Sequence, residues 1–112
     1  MTKLSQTEKN EINKFLETQR PLSKEVARHF IEIGKILGIT TKKLEELSFS
    51  GAIIGYMKYL EKHPKKELNI PAYLSWWMRH VIYLGIVKKT LTEAKKNPNK
   101  AEKAFMLLLE QE

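Results

Sequence analysis

Pro71-Ala72-Tyr73-Leu74-Ser75-Trp76-Trp77-Met78-Arg79-His80-Val81-Ile82 opens the longest uninterrupted helical pattern in the chain. Proline suits a first helical position, where the N–H it lacks would have no intrahelical partner anyway. The next strong breaker is Asn97-Pro98-Asn99. The spacing therefore predicts one long helix from Pro71 to about Lys96, interrupted only at Gly85. At about 100° per residue, Leu74, Met78, Val81 and Ile82 share an arc that suffices as a core face. Tyr73, Trp76, Trp77 and His80 share a neighbouring arc, and so many large aromatics beyond one core stripe call for an explanation.

On either side of this segment the pattern is also helical. Ser5 or Thr7 can cap a first helix through Thr18, with Ile12, Phe15 and Leu16 as its apolar stripe, and Arg20-Pro21-Leu22 breaks it. Ser23 is the expected N-cap of a second helix carrying Val26, Phe30, Ile33, Ile36 and Leu37, stopped by Gly38. Thr40 or Thr41 begins a third, with Leu44, Leu47, Ile54, Met57 and Leu60 at helical spacing and His63-Pro64 at its end. Gly51 and Gly55 inside it each weaken a helix by up to about 1 kcal/mol relative to alanine, which predicts a tight helix contact or a bend. A basic loop from Pro64 to Ile70 precedes the long fourth helix. After Asn97-Pro98-Asn99 a fifth helix presents Phe105, Met106, Leu108 and Leu109 to cap the core. The expected fold class is all-α, a compact bundle of about five helices forming a single domain over residues 1–112.

At 112 residues, 42% apolar and 29% charged, the composition is that of one globular core. No stretch approaches the roughly 20 apolar residues that span a bilayer, and Met1-Thr2-Lys3-Leu4-Ser5-Gln6 lacks the apolar run of a secretory signal. No membrane association is expected, and the expected location is cytoplasmic. The chain has neither Cys nor Asp, which removes thiolate metal sites, cysteine nucleophiles, Ser-His-Asp triads and Asp-held magnesium. His29, His63 and His80 lack metal-ligand spacing, and no phosphate-binding glycine loop occurs. The expectation is a non-enzyme without cofactor or metal.

The formal charge of +7 is unevenly spread. Ten Lys or Arg against Glu61, Glu67 and Glu93 between Met57 and Lys100 account for all of it, and a positive surface attracts polyanions. The aromatic arc has Arg79 beside it and Lys62, Lys65 and Lys66 before it. Aromatic faces stack on unpaired bases while basic side chains hold the backbone, so this combination suits a single strand. The alternative is that both tryptophans are simply core, as aromatics at helical spacing often are.

Gly55-Tyr56-Met57-Lys58-Tyr59-Leu60-Glu61-Lys62-His63, followed by Tyr73-Leu74-Ser75-Trp76-Trp77-Met78-Arg79-His80-Val81-Ile82, resembles region 2 of the sigma-70 family of bacterial RNA polymerase initiation factors. The specific core is Tyr-x-x-Trp-Trp-x-Arg, and the resemblance covers about 28–87. It implies a sigma region 2-like module that binds the polymerase core at its clamp and captures melted bases of the minus-ten promoter element. By position, Tyr73, Trp76 and Trp77 would stack at the upstream fork, Arg79 would touch phosphate, and His80 and Tyr83 would read the upstream edge of the element. Glu45, Glu46, Phe49 and Ser50 would occupy the polymerase-binding segment. Nothing resembles the helix-turn-helix region 4, so the expectation is a fragment or a stand-alone protein partnered by a separate region 4-type polypeptide.

Two other readings stay open on sequence. One is a region 2-like regulator that binds polymerase or another sigma factor without promoter melting. The other is an unrelated helical interaction domain.

Overall fold

The computed structural model describes residues 5–62 and 70–110. Among them the chain is all-helical: α1 (Gln6–Thr18), α2 (Arg20–Arg28), α3 (Ile31–Leu37), α4 (Thr41–Lys62), α5 (Ile70–Lys96) and α6 (Pro98–Glu110). Six helices stand where about five were expected, because the second segment is two. No proline or glycine marks the break. Phe30 leaves helical geometry at φ −112°, ψ 7°, and the His29 and Phe30 amides bond three residues back, to Val26 and Ala27.

Local signals set most of the other boundaries. Ser5 caps α1 in a capping box, its hydroxyl accepting from the Glu8 amide at 3.1 Å while the Glu8 carboxylate accepts from the Ser5 amide at 3.1 Å. Those bonds to the charged form hold the Glu8 carboxyl below its ordinary range. Gly38 ends α3 at φ 74°, and the Ile39 amide closes the turn on the Gly34 carbonyl at 2.8 Å. Thr40 caps α4 by accepting from the Lys43 amide, and Asn97 caps α6 by accepting from the Lys100 amide.

Two expected boundaries differ. Pro21 lies in the first turn of α2 rather than between helices, so the chain turns at Gln19, one residue earlier. Ser23 is not a cap: it is buried inside α2, and its carbonyl accepts a 2.7 Å hydrogen bond from the buried Ser48 hydroxyl of α4. Both polar groups are thus satisfied where an apolar residue would ordinarily stand, and the bond ties α2 to α4.

The central contact is α4 against α5. Gly51 lies opposite Met78 and Trp77, and Gly55 lies opposite Leu74 and Trp77, so the helices run antiparallel. A Cβ on Gly51 would stand 2.6 Å from Met78 Cα and 2.6 Å from the Trp77 carbonyl oxygen. Backbone meets backbone there, which settles the sequence's two alternatives in favour of a tight contact. The core row on α5 is Leu74, Met78, Ile82 and Ile86, all buried at every fourth residue. Val81, expected in that face, is half-buried, because an i+4 ridge runs obliquely along the helix and leaves it to one side. Gly85 does not interrupt α5; it receives Leu47.

The same close approach explains a second correction. Ile54 and Met57 were expected to face the core, yet each is 40% exposed. Leu44 is buried as expected, but the other buried positions of α4 are Ser48, Gly51, Ala52 and Gly55, since only small side chains let the backbones meet. Around this pair, Leu16 of α1, Val26 and Ala27 of α2, Phe30 at the break, and Ile33 and Leu37 of α3 complete the core. On α6 the buried residues are Ala101, Ala104 and Leu108. Phe105, Met106 and Leu109, expected to cap the core, are exposed.

The contact predicts a sign. Alanine is the better helix former by about 1 kcal/mol, but a methyl at Gly51 would push the two backbones apart, costing about 1–3 kcal/mol. Gly51→Ala is expected to lower the midpoint of urea unfolding, and a raised midpoint would refute backbone contact at this position.

Candidate nucleic-acid interface

The core ridge of α5 determines what the opposite side of the helix shows. Two residues on from Leu74, Met78, Ile82 and Ile86 stand Trp76, His80, Leu84 and Lys88, rotated by about 200° and therefore turned outward. Trp76 is 57% exposed and Leu84 54% exposed. The His80 imidazole stacks on the Trp76 indole with centroids 4.9 Å apart and planes within 10°. Trp77 meets both rings edge-on, at 5.1 Å from Trp76 and 5.9 Å from His80. These three side chains form one packed aromatic cluster, with the exposed Arg79 on its flank.

A cleft of about 420 Å³ opens beside the cluster. Trp76, Arg79, His80 and Tyr83 line it from α5, joined by Leu84, Phe30 and Leu108. Four of the sequence-predicted DNA-binding residues thus converge on one cavity. Its floor is apolar and its mouth carries a guanidinium and an imidazole, a chemistry suited to a flat heteroaromatic ring attached to phosphate.

The two tryptophans are not equivalent. Trp77 is half-buried against α4: a Cβ on Gly55 would lie 2.9 Å from its Cδ1 and 3.0 Å from its Cβ. Its indole Nε1 is buried without a hydrogen-bond partner among the described residues. Tyr73 is also half-buried and packs on the core. The expected arc of four stacking aromatics therefore reduces to Trp76 with His80, while Trp77 buttresses them and Tyr73 packs inward. Lys62 is the last residue of α4, and its side chain, together with Lys65 and Lys66, lies outside the described residues.

The residues expected to bind polymerase also share one groove, of about 450 Å³, between α2 and α4. Lys42, Glu45, Glu46, Phe49 and Ser50 line the α4 wall and Arg20, Ser23 and Lys24 the α2 wall. Phe49 is not openly displayed, because the Arg20 guanidinium sits 4.0 Å above its ring. Arg20 also donates to the Glu17 carboxylate at 2.6 Å, which holds that carboxyl low and the guanidinium high. The Ser50 hydroxyl is engaged within α4, donating to the Glu46 carbonyl. This surface is mixed in charge rather than acidic. Neither Arg20 over Phe49 nor the contributions of Phe30, Leu84 and Leu108 to the aromatic cleft were anticipated from sequence. Only Leu84 left a signal, standing four residues beyond His80 on the Trp76 row.

No protein-family model matches the chain, and no curated protein or solved structure matches it. Among the described residues, no cluster of His, Cys, Asp or Glu could hold a metal ion, and no helix is long and apolar enough to cross a membrane.

The unequal burial gives a direct check. A Trp77→Phe protein, retaining only Trp76, is expected to emit a red-shifted fluorescence that acrylamide quenches readily. A Trp76→Phe protein should emit at shorter wavelength and resist quenching. Trp76→Ala, which removes only the ring contacts with His80 and Trp77, should cost about 1 kcal/mol, and Trp77→Ala should cost about 2–3 kcal/mol. Equal costs would contradict the placement.

Proposed function

We propose that the chain is a sigma region 2-like transcription initiation module, which stacks melted promoter bases on the outer face of α5 and docks on the bacterial RNA polymerase core through α4. The observation that carries the reading is the Trp76–His80 stack, exposed on a helix whose core row faces the other way and flanked by Arg79. A preformed aromatic pair at the mouth of a cleft offers a base a stacking platform with little ordering cost, and the guanidinium beside it offers a phosphate partner. In this role the module acts by binding, without catalysis, in the bacterial cytoplasm. A separate region 4-type polypeptide would supply recognition of the upstream promoter element.

The structural roles sharpen the residue assignment. Trp76 makes the base contact, His80 backs it, Arg79 and Tyr83 line the approach, and Trp77 and Tyr73 hold the platform in place. On α4, Glu45, Glu46 and Phe49 meet polymerase after Arg20 is displaced from the Phe49 ring. A second reading, a regulator that binds polymerase or another sigma factor without opening DNA, is favoured by the burial of Trp77, which leaves one tryptophan rather than two to hold a fork.

Binding to core polymerase, measured with and without a fork-junction promoter DNA, separates the two. The first reading predicts a ternary complex in which Trp76→Ala weakens the DNA contact by about 1–3 kcal/mol, or roughly 5- to 150-fold, and leaves polymerase binding unchanged. Polymerase binding with no DNA contact at low salt would support the regulator, and absence of both would sink the two readings together.

A further inference from the structure

The row that displays Trp76 does not end at the aromatic cleft. It continues through Leu84 to Lys88, with Lys95 two turns further on, and arrives at the α5–α6 elbow. Between residues 88 and 103 stand Lys88, Lys89, Lys95, Lys96, Lys100 and Lys103 against only Glu93 and Glu102. That is a net +4 of the chain's +7, in 16 residues. Lys88, Lys95, Lys96 and Lys103 are exposed. The one ion pair seen at the elbow among the described residues, Lys100 to Glu93, is long at 4.0 Å.

Local helix physics accounts for part of this charge. Lys95 and Lys96 close the last turn of α5, where the helix dipole favours cations. Lys100 falls in the first turn of α6, which holds no acid, and there the dipole opposes it, while Lys103 adds a further cation one turn on. An excess of charge placed against its local field is stabilised by an anion from outside.

We propose that the α5–α6 elbow is a second nucleic-acid contact, a lysine saddle for the phosphate backbone of double-stranded DNA continuous with the strand that reaches Trp76. The proposal rests on the base-stacking reading of the cleft for its connection to a promoter. From His80 to Lys95, which lie within about 60° of each other around α5, is 15 residues, about 22 Å at about 1.5 Å per residue. At roughly 3.4 Å per base pair that spans about seven base pairs, so a duplex leaving the melted segment would lie along α5 and meet the elbow. Lysines on flexible stems give sequence-independent phosphate contacts, which suits duplex flanking a recognised site.

An anionic membrane surface is the competing occupant, since Phe105, Met106 and Leu109 of α6 are exposed. Glu102 stands three and four residues before Phe105 and Met106, placing a carboxylate beside those apolar side chains and against an anionic lipid headgroup. On α6, Lys100 and Lys103 lie on the far side of the buried Ala104–Leu108 line from Phe105 and Leu109, and Met106, one turn beyond Lys103, has the Glu102 carboxylate beside it, so Phe105 and Leu109 do not share a face with the α6 lysines.

The test is binding of the full chain to a blunt DNA duplex of about two helical turns, followed by fluorescence anisotropy from about 50 to 200 mM salt. A variant with Lys88→Gln, Lys95→Gln, Lys96→Gln and Lys103→Gln alters only exposed side chains, and circular dichroism verifies its fold. It is expected to bind duplex at least about tenfold more weakly, with the slope of log affinity against log salt flatter by about 0.9 for each phosphate that a lysine no longer neutralises. Trp76→Ala should leave duplex affinity and slope unchanged while weakening single-strand binding. Duplex binding by the lysine variant equal to wild type in affinity and slope overturns the proposal. So does loss of binding to phosphatidylserine-containing vesicles with duplex binding intact. Failure of Trp76→Ala to weaken single-strand binding would count against the stacking reading alone, because the duplex arm reports on the elbow independently.

Discussion

Close approach of α4 and α5, backbone to backbone at Gly51 and with the Leu74 and Trp77 side chains packed onto Gly55, is the constraint on which the rest of the molecule depends. With glycine at both positions of α4, the core row of α5 is set by an oblique i+4 ridge, and Leu74, Met78, Ile82 and Ile86 are buried along it. Burying each such aliphatic side chain stabilises by about 1.5–3 kcal/mol, so rotating α5 by one position would be heavily penalised. The outward row is then determined as well. Trp76, His80 and Leu84 are displayed because their neighbours two positions earlier are buried. Gly55 adds the last element, admitting the Trp77 indole between the helices, where its edge supports both Trp76 and His80.

Packing within the aromatic cluster restricts the exposed ring. An isolated exposed tryptophan samples several rotamers and must lose that freedom on binding. Here the His80 stack and the Trp77 edge hold the Trp76 ring before any ligand arrives, which reduces the ordering cost of an encounter. On the other side of the pair, the groove between α2 and α4 is less prepared. Arg20 occupies the Phe49 face and pairs with Glu17, so any contact with the Phe49 ring would require displacing Arg20. The Ser48–Ser23 hydrogen bond holds α2 against α4.

Sequence periodicity made the long helix before Asn97 and the all-helical class legible, although that helix begins at Ile70, one residue ahead of the proline expected to open it; it also made Gly38 legible as a stop and Ser5 and Thr40 as one of two cap candidates each. It also put Trp76 and His80 on one arc with Arg79 beside it, and the resemblance to sigma region 2 added Tyr83; residues three and four apart on a helix share a face wherever the helix packs. What it could not supply is the rotation of each helix relative to its neighbours. Ile54 and Met57 read as core in a pattern that rewards large apolar residues, whereas the actual α4 interface uses glycine, alanine and serine. Trp77 read as a stacking residue for the same reason, since its burial depends on the absence of a side chain at Gly55, 22 positions earlier. The α2–α3 break has no breaker residue to announce it, and Ser23 shows why a serine ahead of an apolar stripe is not sufficient evidence of a cap.

The central claim is that unpaired bases stack on the exposed indole of Trp76. Trp77→Phe leaves Trp76 as the only indole, so its emission can be followed while single-stranded promoter DNA is added at low salt. Stacking of a base on the ring predicts saturable quenching of the emission, with a midpoint that matches binding measured on the DNA. Saturable binding that leaves the Trp76 emission unchanged would contradict the account.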